Sequence, residues 1–435
     1  MKETDALQQI STACGGLDFS VGTDILKTPV AIGAKTACNR LLLQPMEGCD
    51  GTADGKPDAL TLRRYRRFAE SGAGVIWLEA TAVDPSGRAN PRQLLLNRGN
   101  ADAFKALVAD IRARFFRVSG TQPVLLLQAT HSGRHSKPLG SPAPVIAYEN
   151  PHWKPLPKGY HTITDDELKA LEERYGTVAA LAVECGFDGI DVKCCHGYLN
   201  SELLSARTRP GAYGGSLENR SRFFFNSIRA AKAAAPSDFI FTSRMNIYDG
   251  FPYPGGFGVN AQDGLTPDLA EPMQLIDVLH NQLHLPLLNV TLGNPYENPH
   301  VNRPYRAGSY TPSETPPEGV ARILTCTGQV QKAFPQLKVA LSGVSYLQEL
   351  APRYAAAAIT AGYAALAGFG RMAFAYPGFA ADLLAAGQID RAQCCITCGK
   401  CSELMRMGST AGCVVRDSAV YLPIYNKARQ NLNQT

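Results

Sequence analysis

Short apolar runs alternate along the chain with stretches whose apolar residues recur at helical spacing. Each run is nearly continuous, which is typical of a parallel strand buried on both faces. The eight runs are 40–46, 74–83, 123–131, 189–195, 239–246, 287–293, 338–344 and 364–370. Eight such strand-then-helix units predict a (β/α)8 barrel, an α/β fold.

The clearest predicted helix lies between the third and fourth runs. Thr164 and Glu167 have the spacing of a capping box, and apolar residues then follow at i, i+3 and i+4 up to Gly186. We therefore expect a helix that begins just after Thr164 and ends before Gly186. The glycine-rich and proline-rich stretches 250–264 and 294–317 are predicted to be long loops that act as lids or pocket walls.

In a barrel of this kind the loops that follow the strands converge on one face, so polar residues at strand ends are candidates for the site. Gly343 and Gly370-Arg371 end the seventh and eighth runs, where barrels commonly hold a phosphate. Gln128 offers a donor and an acceptor to the edge of a heterocycle, and Arg244 offers a positive charge to a ring that becomes anionic on reduction. The residues suggest a flavin mononucleotide (FMN) pocket, although a surface arginine and a glutamine at the core edge would fit the spacing equally well.

Longer motifs carry a family resemblance. They are the segments 186–191 (GFDGID), 196–199 (HGYL) and 213–220 (YGGSLENR), with Asn39-Arg40, Pro45-Met46, Gln128, 131–134 (HSGR) and Gly370-Arg371. In order and spacing, from about residue 20 to 413, the chain resembles the Old Yellow Enzyme family of FMN-dependent oxidoreductases.

This resemblance implies roles for individual residues. Tyr198 matches the family's proton donor and His196 a group that anchors substrate, although a buried tyrosine that donates to backbone is the simpler alternative for Tyr198. The residues implied to contact FMN are Pro45, Met46, Glu47, Ala80, Gln128, Arg244, Gly343, Gly370 and Arg371.

The chain departs from the family pattern at three places. Lys193 stands where many members have histidine, and it would hold an anionic or carbonyl oxygen, act as a nucleophile, or extend to solvent. Glu47 stands where relatives often have a small hydroxyl or thiol, and a carboxylate there would disfavour an anionic reduced flavin. The connection from Ser205 to Tyr213 is shorter than usual, so we expect a different loop beside the pocket.

Composition narrows the choice of partners. The formal net charge of +5 is small for 435 residues and is not clustered, so it indicates neither a nucleic-acid partner nor a membrane surface. No apolar run is long enough to cross a bilayer, and the first residues lack the pattern of a secretory signal. We therefore expect a cytoplasmic protein with reduced thiols, a small-molecule substrate and a homo-oligomeric state.

The segment 394–401 (CCITCGKC) concentrates cysteines near the end of the chain, and Cys413 follows it. Cys395, Cys398, Cys401 and Cys413 have spacings that suit an iron–sulfur cluster or zinc, and Cys394 is an alternative to Cys395. The group resembles that of the iron–sulfur branch of the family, which includes trimethylamine dehydrogenase and 2,4-dienoyl-CoA reductase. That resemblance implies a 4Fe-4S cluster, and we predict two domains, a barrel over 1–385 and a cysteine-rich cluster-binding extension over 386–435.

Four possibilities remain open at this stage, the last of which is a non-catalytic scaffold with zinc in the cysteine group. The first is hydride transfer between flavin and an activated alkene, an enone or enoyl compound, with electrons relayed through the cluster. The second is an amine-type dehydrogenase, and the third is a flavin-free lyase in which Lys193 forms a Schiff base. The chain contains no GxGxxG motif, so electrons are expected to come from a separate electron-transfer protein, or slowly from NAD(P)H at the flavin.

Overall fold

The computed structural model describes residues 3–264, 266–305, 308 and 310–432. Within this part of the chain, eight parallel strands close into a barrel in chain order, and the eighth strand pairs with the first. The strands are β1 Leu41–Leu43, β2 Val75–Ala82, β3 Val124–Thr130, β4 Gly189–Val192, β5 Ile240–Asn246, β6 Leu287–Thr291, β7 Lys338–Leu341 and β8 Leu366–Phe369. The predicted (β/α)8 fold is confirmed, and each of the eight apolar runs contains one strand.

Helices surround the barrel and follow the strands in turn. They are α1 Ala59–Glu70, α2 Ala101–Ser119, α3 Asp165–Cys185, α4 Leu217–Ala233, α5 Ala270–Asp277, α6 Pro316–Ala333, α7 Ala351–Thr360 and α8 Phe379–Ala386. The predicted capping box starts α3, with Thr164 as N-cap, and Gly186 ends it at φ 87°. An additional helix, Glu3–Ala13, packs against α6.

Short elements fill the connections. The helical ones are Asp24–Lys27, Pro85–Gly87, Gly133–His135, Leu199–Leu204, Val278–Gln282, Pro299–Asn302, Val344–Leu350, Arg371–Ala375 and Arg391–Gln393. Strands Val145–Ile146 and His161–Thr162 form a small parallel pair, and Val30–Ile32 and Lys35–Ala37 form an antiparallel hairpin. Ile32 of that hairpin joins Leu42, Trp77 and Leu126 in an apolar cluster inside the barrel, so one end of the barrel is filled and the site must lie at the other.

The cysteine-rich segment packs over the loops at the open end. The Ala411 N–H donates to the Gly48 carbonyl at 2.7 Å, and Asp417 forms ion pairs with Arg63 and Arg67 of α1. Helices α9 Lys400–Arg406 and α10 Ser418–Leu432 share a small apolar cluster of their own. The division at residue 385 stays a prediction, and its outer ends, 1–2 and 433–435, lie outside the described residues. None of the described helices combines the length and the apolar character that a membrane crossing requires.

Candidate active site

A cleft at the open end of the barrel brings together most of the residues proposed from the sequence. It has about 890 Å³ of space between its atoms and is formed by the ends of β1, β4, β5, β7 and β8. The proposed site residues that line it are Pro45, Met46, Glu47, Lys193, His196, Arg244, Gly343, Gly370 and Arg371. Ala80, Gln128 and Tyr198 are not part of that lining, although all three are buried.

Gln128 is held inside the barrel by a buried carboxylate. Its Nε2 donates to Oδ2 of Asp191 at 2.6 Å, and the Trp77 indole N–H donates to the same oxygen at 3.0 Å. The Arg244 backbone N–H donates to Oδ1 of Asp191 at 2.8 Å. Burial raises the pKa of Asp191 to about 6, against these hydrogen bonds, which favour the carboxylate. Asp191 therefore fixes the positions of the Gln128 side chain and of the Arg244 backbone.

Two guanidinium groups lie on one wall of the cleft. Arg371 begins the helix after β8, and Arg303 comes from the loop after β6. Burial and, secondarily, the neighbouring charge of Arg371 lower the pKa of Arg303 to about 10. Gly343 lines the same cleft, with φ at 80°, a conformation that suits glycine and turns the chain out of β7. Like charges facing one cleft favour an anionic group between them.

Arg244 also lines the cleft. It is buried, and its Nε has no hydrogen-bond partner among the described residues. Burial lowers the pKa of this guanidinium. A buried and unpaired N–H of this kind is suited to an acceptor supplied by a bound molecule.

Tyr198, Glu47 and Tyr296 form a hydrogen-bonded group next to the cleft. The Tyr198 hydroxyl donates to Oε2 of Glu47 at 3.1 Å and lies 3.0 Å from the Tyr296 hydroxyl. Burial raises the pKa of Tyr198 well above its ordinary value, so the phenol is neutral and retains its proton. The alternative of a tyrosine that donates to backbone does not match these contacts.

Lys193 and His196 line the cleft close to the Tyr198 group. Lys193 Nζ lies 3.6 Å from the centroid of the Tyr198 ring, and the lysine is only 3% exposed, so it does not extend to solvent as one alternative supposed. Its pKa is lowered, chiefly by burial, while the charge of Glu47 opposes that shift. His196 has φ 66° and an Nε2 without a described partner, and burial keeps its pKa well below the ordinary value.

The proposed cysteine ligands surround a second, smaller cavity. Cys395, Cys398, Cys401 and Cys413 line about 370 Å³ of space. Cys394 is fully buried and is not in that lining, because its thiol donates to the Asp390 carbonyl at 3.4 Å. In the described part of the chain, no three His, Cys, Asp or Glu side chains converge closely enough to hold a single metal ion. The two cavities share Arg371, Phe374 and Cys401, so only one layer of side chains separates them.

The chain matches a known protein family. A family model described as the NADH:flavin oxidoreductase / NADH oxidase family matches residues 26–258, just over half of the chain. The chain belongs to this family.

Individual members of the family are distant in sequence. An NADPH dehydrogenase from Clostridium acetobutylicum is 28% identical over 229 residues, which are 52% of this chain and 64% of that protein. The matched region therefore spans less than two thirds of that family member's length. The Old Yellow Enzyme resemblance is confirmed at this level.

Solved structures extend the similarity of fold beyond the matched region. A 2-naphthoyl-CoA reductase has a TM-score of 0.74 at 18% identity, covering 93% of this chain and 58% of that one. A histamine dehydrogenase from Rhizobium sp. 4-9 has a TM-score of 0.68 at 20% identity, covering 90% of this chain and 52% of that one. At these identities the likeness concerns the fold alone.

Several residues in and around the cleft were not predicted from the sequence. Tyr296 and Arg303 lie in the 294–317 loop, which does supply a pocket wall as expected, although Arg306, Ala307 and Ser309 lie outside the described residues. The other long loop, 250–264, packs on Asn150 and Arg207 and supplies none of the described cleft lining, so its prediction as a pocket wall was wrong. Gln93 was also missed, and its Nε2 donates to Oε1 of Glu47 at 2.7 Å.

Proposed function

We propose that this family member is an FMN-dependent oxidoreductase that transfers hydride between flavin and an activated alkene such as an enone or enoyl thioester. The observation that carries the proposal is a single cleft lined by two arginines, by Arg244 with its unpaired Nε, and by the Glu47 and Tyr296 side chains that contact the Tyr198 hydroxyl. An anion site, a cation for a reduced ring and a proton source are the three features that flavin-dependent alkene reduction requires.

The residues present fit FMN on physical grounds. Arg303 and Arg371 would hold the phosphate, with the backbone at Gly343 in close approach. The unpaired Nε of Arg244 would donate to the ring. FMN, when bound, supplies a ring atom that gives or takes hydride.

Substrate would be bound on the Tyr198 side of the cleft. The neutral His196 offers an unpaired ring nitrogen, and Lys193 offers a charged donor, so the two would hold a carbonyl oxygen. That polarisation would make the conjugated carbon electrophilic, and Tyr198 would protonate the adjacent carbon. Lys193 then acts as an electrostatic group, which is a role distinct from the Schiff base of the lyase alternative.

An amine-type dehydrogenase is the second candidate, supported by the shared fold of histamine dehydrogenase. An aromatic cage for an ammonium group would favour it. Trp77 lies in the closed end of the barrel, and Trp153 packs on Arg134 with 4.8 Å between guanidinium and ring. Neither tryptophan is in the cleft lining, so the alkene reaction is the better supported of the two.

The cysteine cavity is proposed to hold a 4Fe-4S cluster. Four thiols that line one space, without three of them converging on a single point, fit a multinuclear cluster better than one zinc ion. Backbone N–H groups already reach two of the sulfurs, Thr397 to Cys395 at 3.4 Å and Arg416 to Cys413 at 3.3 Å. The wall shared with the cleft would let single electrons pass between the cluster and flavin.

The electron source and setting are part of the proposal. The NADPH dehydrogenase relative supports NAD(P)H as a reductant at the flavin, and a separate electron-transfer protein would exchange electrons through the cluster. A cytoplasmic, homo-oligomeric protein with a small-molecule substrate remains our expectation.

The proposed reaction can be tested on anaerobic protein loaded with FMN. The flavin should be bleached by NADPH and should regain its yellow colour on addition of 2-cyclohexen-1-one or crotonyl-CoA. Bleaching without reoxidation by either compound would contradict alkene reduction.

Two adjacent cysteines provide a matched test of the cluster. Anaerobically purified protein should contain about four iron atoms and four sulfides per chain. Cys395→Ser should lose most of this iron because it removes a ligand that lines the cavity, whereas Cys394→Ser should retain it because that thiol faces the core. Iron analysis and the visible spectrum measure the cluster content of both variants. Retention of zinc in place of iron, or the reverse order of the two variants, would contradict the proposal.

The arginine wall predicts how tightly FMN binds. Arg371→Ala should weaken FMN binding by roughly 10- to 100-fold, because a charge-assisted hydrogen bond contributes about 1.5–3 kcal/mol. Arg353→Ala, on the exposed side of α7, is the matched control and should bind as the unaltered protein does. Quenching of flavin fluorescence during titration of the FMN-free protein gives both constants. Equal affinity in all three proteins would remove Arg371 from the phosphate site.

A further inference from the structure

Glu47 is the carboxyl group of the Tyr198 group, and the proposed reaction leaves its chemistry unused. It lines the flavin cleft, and it also lines a second cavity with about 1040 Å³ of space between its atoms, part of it open to solvent. Asn90, Lys137 and Met407 form part of that second cavity, and Tyr296 borders both spaces. Glu47 is thus placed between the reaction cleft and a second route to water.

The orientation of the Glu47 carboxyl group is fixed by Gln93. The Ala89 N–H donates to Oε1 of Gln93 at 2.6 Å, which sets the side-chain amide with its nitrogen towards Glu47. That nitrogen donates to Oε1 of Glu47 at 2.7 Å and to the Ala80 carbonyl at 3.1 Å. Because Oε1 of Glu47 accepts from an N–H, a proton on this carboxyl group must reside on Oε2.

Oε2 is also the oxygen that contacts Tyr198, at 3.1 Å from the hydroxyl. When Glu47 is protonated, this contact reverses: the carboxyl O–H donates to the phenol oxygen, and the phenol proton turns away from Glu47. Tyr198 can accept this reversal because its contact with Tyr296, at 3.0 Å, works in either direction. The carboxyl group is therefore built to deliver a proton to one atom.

Burial supports the availability of that proton. It raises the pKa of Glu47, while the charge of Lys193 and the hydrogen bond from Tyr198 oppose the shift. Cys49 and Glu79, from the loop after β1 and from β2, also interact electrostatically with Glu47, as do Cys195 and Tyr296, and the negative charge of Glu47 raises the pKa of each of them. The carboxyl group retains its proton to a higher pH than an ordinary glutamate would.

We propose that Glu47 returns a proton to Tyr198 after each turnover and takes a replacement from water in the second cavity. The inference rests on the proposed alkene reduction, in which NAD(P)H provides the two electrons through the flavin. Hydride forms a C–H bond at one alkene carbon, and the Tyr198 O–H breaks as its proton bonds to the adjacent carbon. The Glu47 O–H then breaks to restore the phenol, and a water molecule reprotonates Glu47, leaving hydroxide to the buffer. Glu47 acts on the reaction through Tyr198.

The first test separates the first turnover from those that follow. Protein holding FMN is reduced anaerobically and mixed with 2-cyclohexen-1-one or crotonyl-CoA. Glu47→Gln should complete a single turnover within about threefold of the unaltered rate, because Tyr198 starts out protonated. Repeated turnover should slow by at least ~10-fold, because proton transfer by a positioned acid is lost. A structural role for Glu47 would slow both phases equally and would overturn the proposal.

Chemical rescue and infrared spectroscopy complete the test. Glu47→Ala should regain repeated turnover when formic acid is added, with saturation, while Tyr198→Phe should not respond. Above the ordinary glutamate pKa of ~4.3, the infrared absorption of protonated carboxyl groups should be smaller in Glu47→Gln, by the contribution of one group, than in the unaltered protein or the surface control Glu173→Gln. The remaining absorption comes from other buried carboxyl groups with raised pKa values, among them Glu79 and Asp191. Failure of rescue, or an unchanged infrared band in Glu47→Gln, would overturn the proton return alone. Failure of the unaltered protein to reduce either compound would overturn the proposed function and this inference together.

Discussion

Replacing Tyr198 with phenylalanine is expected to slow reoxidation of the reduced protein by an enone about 100- to 10,000-fold, the range contributed by a positioned general acid. The substitution removes only the hydroxyl that lies next to Glu47 and Tyr296. Reduction by NADPH should change less than about threefold, since hydride transfer to the flavin needs no proton from this group. Anaerobic stopped-flow absorbance of the flavin follows the two half-reactions separately.

A tyrosine remote from the cleft provides the control for this result. Tyr160 is 37% exposed and its hydroxyl contacts Glu149, so Tyr160→Phe should leave both half-reactions at the unaltered rates. If Tyr198→Phe reoxidises as fast as Tyr160→Phe, another group or water donates the proton. If instead Tyr198→Phe loses both half-reactions, its hydroxyl serves to position the flavin, and the assignment as proton donor is wrong.

Replacing Arg64 with alanine is expected to lower the free energy of unfolding by about 3–5 kcal/mol, the usual cost of removing one partner from a buried ion pair. Arg64 is 5% exposed and forms ion pairs with both Asp50 and Glu79. Without it, two carboxylates stay buried with no neutralising charge. Glu79 in turn accepts from the Gly48 N–H at 2.6 Å, so the loop that carries Glu47 should loosen as well.

The Arg64 prediction has a definite dependence on pH. Burial already raises the pKa of Glu79 to about 7, so between its unfolded value near 4.5 and 7 the folded state holds more protons than the unfolded state. Stability from this group is therefore lost as pH rises through that window, and removal of Arg64 should steepen the loss. Urea unfolding at pH values near 4.5 and near 7 measures the change in the free energy of unfolding.

The matched control for Arg64 lies two residues along the same helix. Arg66 is exposed and pairs with Asp110 at the surface, so Arg66→Ala should change the free energy of unfolding by less than about 1 kcal/mol at any pH. A loss from Arg64→Ala as small as that from Arg66→Ala would mean that the two buried ion pairs of Arg64 contribute little to the stability of the folded protein.

The fold was predictable because its signals are local. Strands buried on both faces leave continuous apolar runs, and α3 carries its start and stop in Thr164 and Gly186. The strand ends were less accurate: the run 338–344 becomes a strand only over Lys338–Leu341. Gly343, at φ 80°, takes the chain into the cleft wall instead.

The site was predictable where a motif fixed it and not where long-range packing did. Arg244, Arg371 and Tyr198 stand at strand ends or in recognisable motifs. Arg303 and Gln93 lie in irregular segments with no periodicity, and their roles come from side chains contributed by distant parts of the chain. No spacing rule connects Arg64 to Asp50 and Glu79 before the barrel closes, and the choice between Cys394 and Cys395 needed the direction in which each thiol points.

The cysteine-rich extension contributes side chains to the cleft of the barrel. Cys401, Ser402 and Met405 form part of the cleft wall, and the Ser402 hydroxyl accepts from Arg303 at 2.6 Å. A barrel trimmed at residue 385 would therefore present its cleft as an open trough, with one side exposed to solvent and Arg303 released from its anchor. Grafting this barrel into another enzyme would require the extension to be transplanted with it as a single cassette.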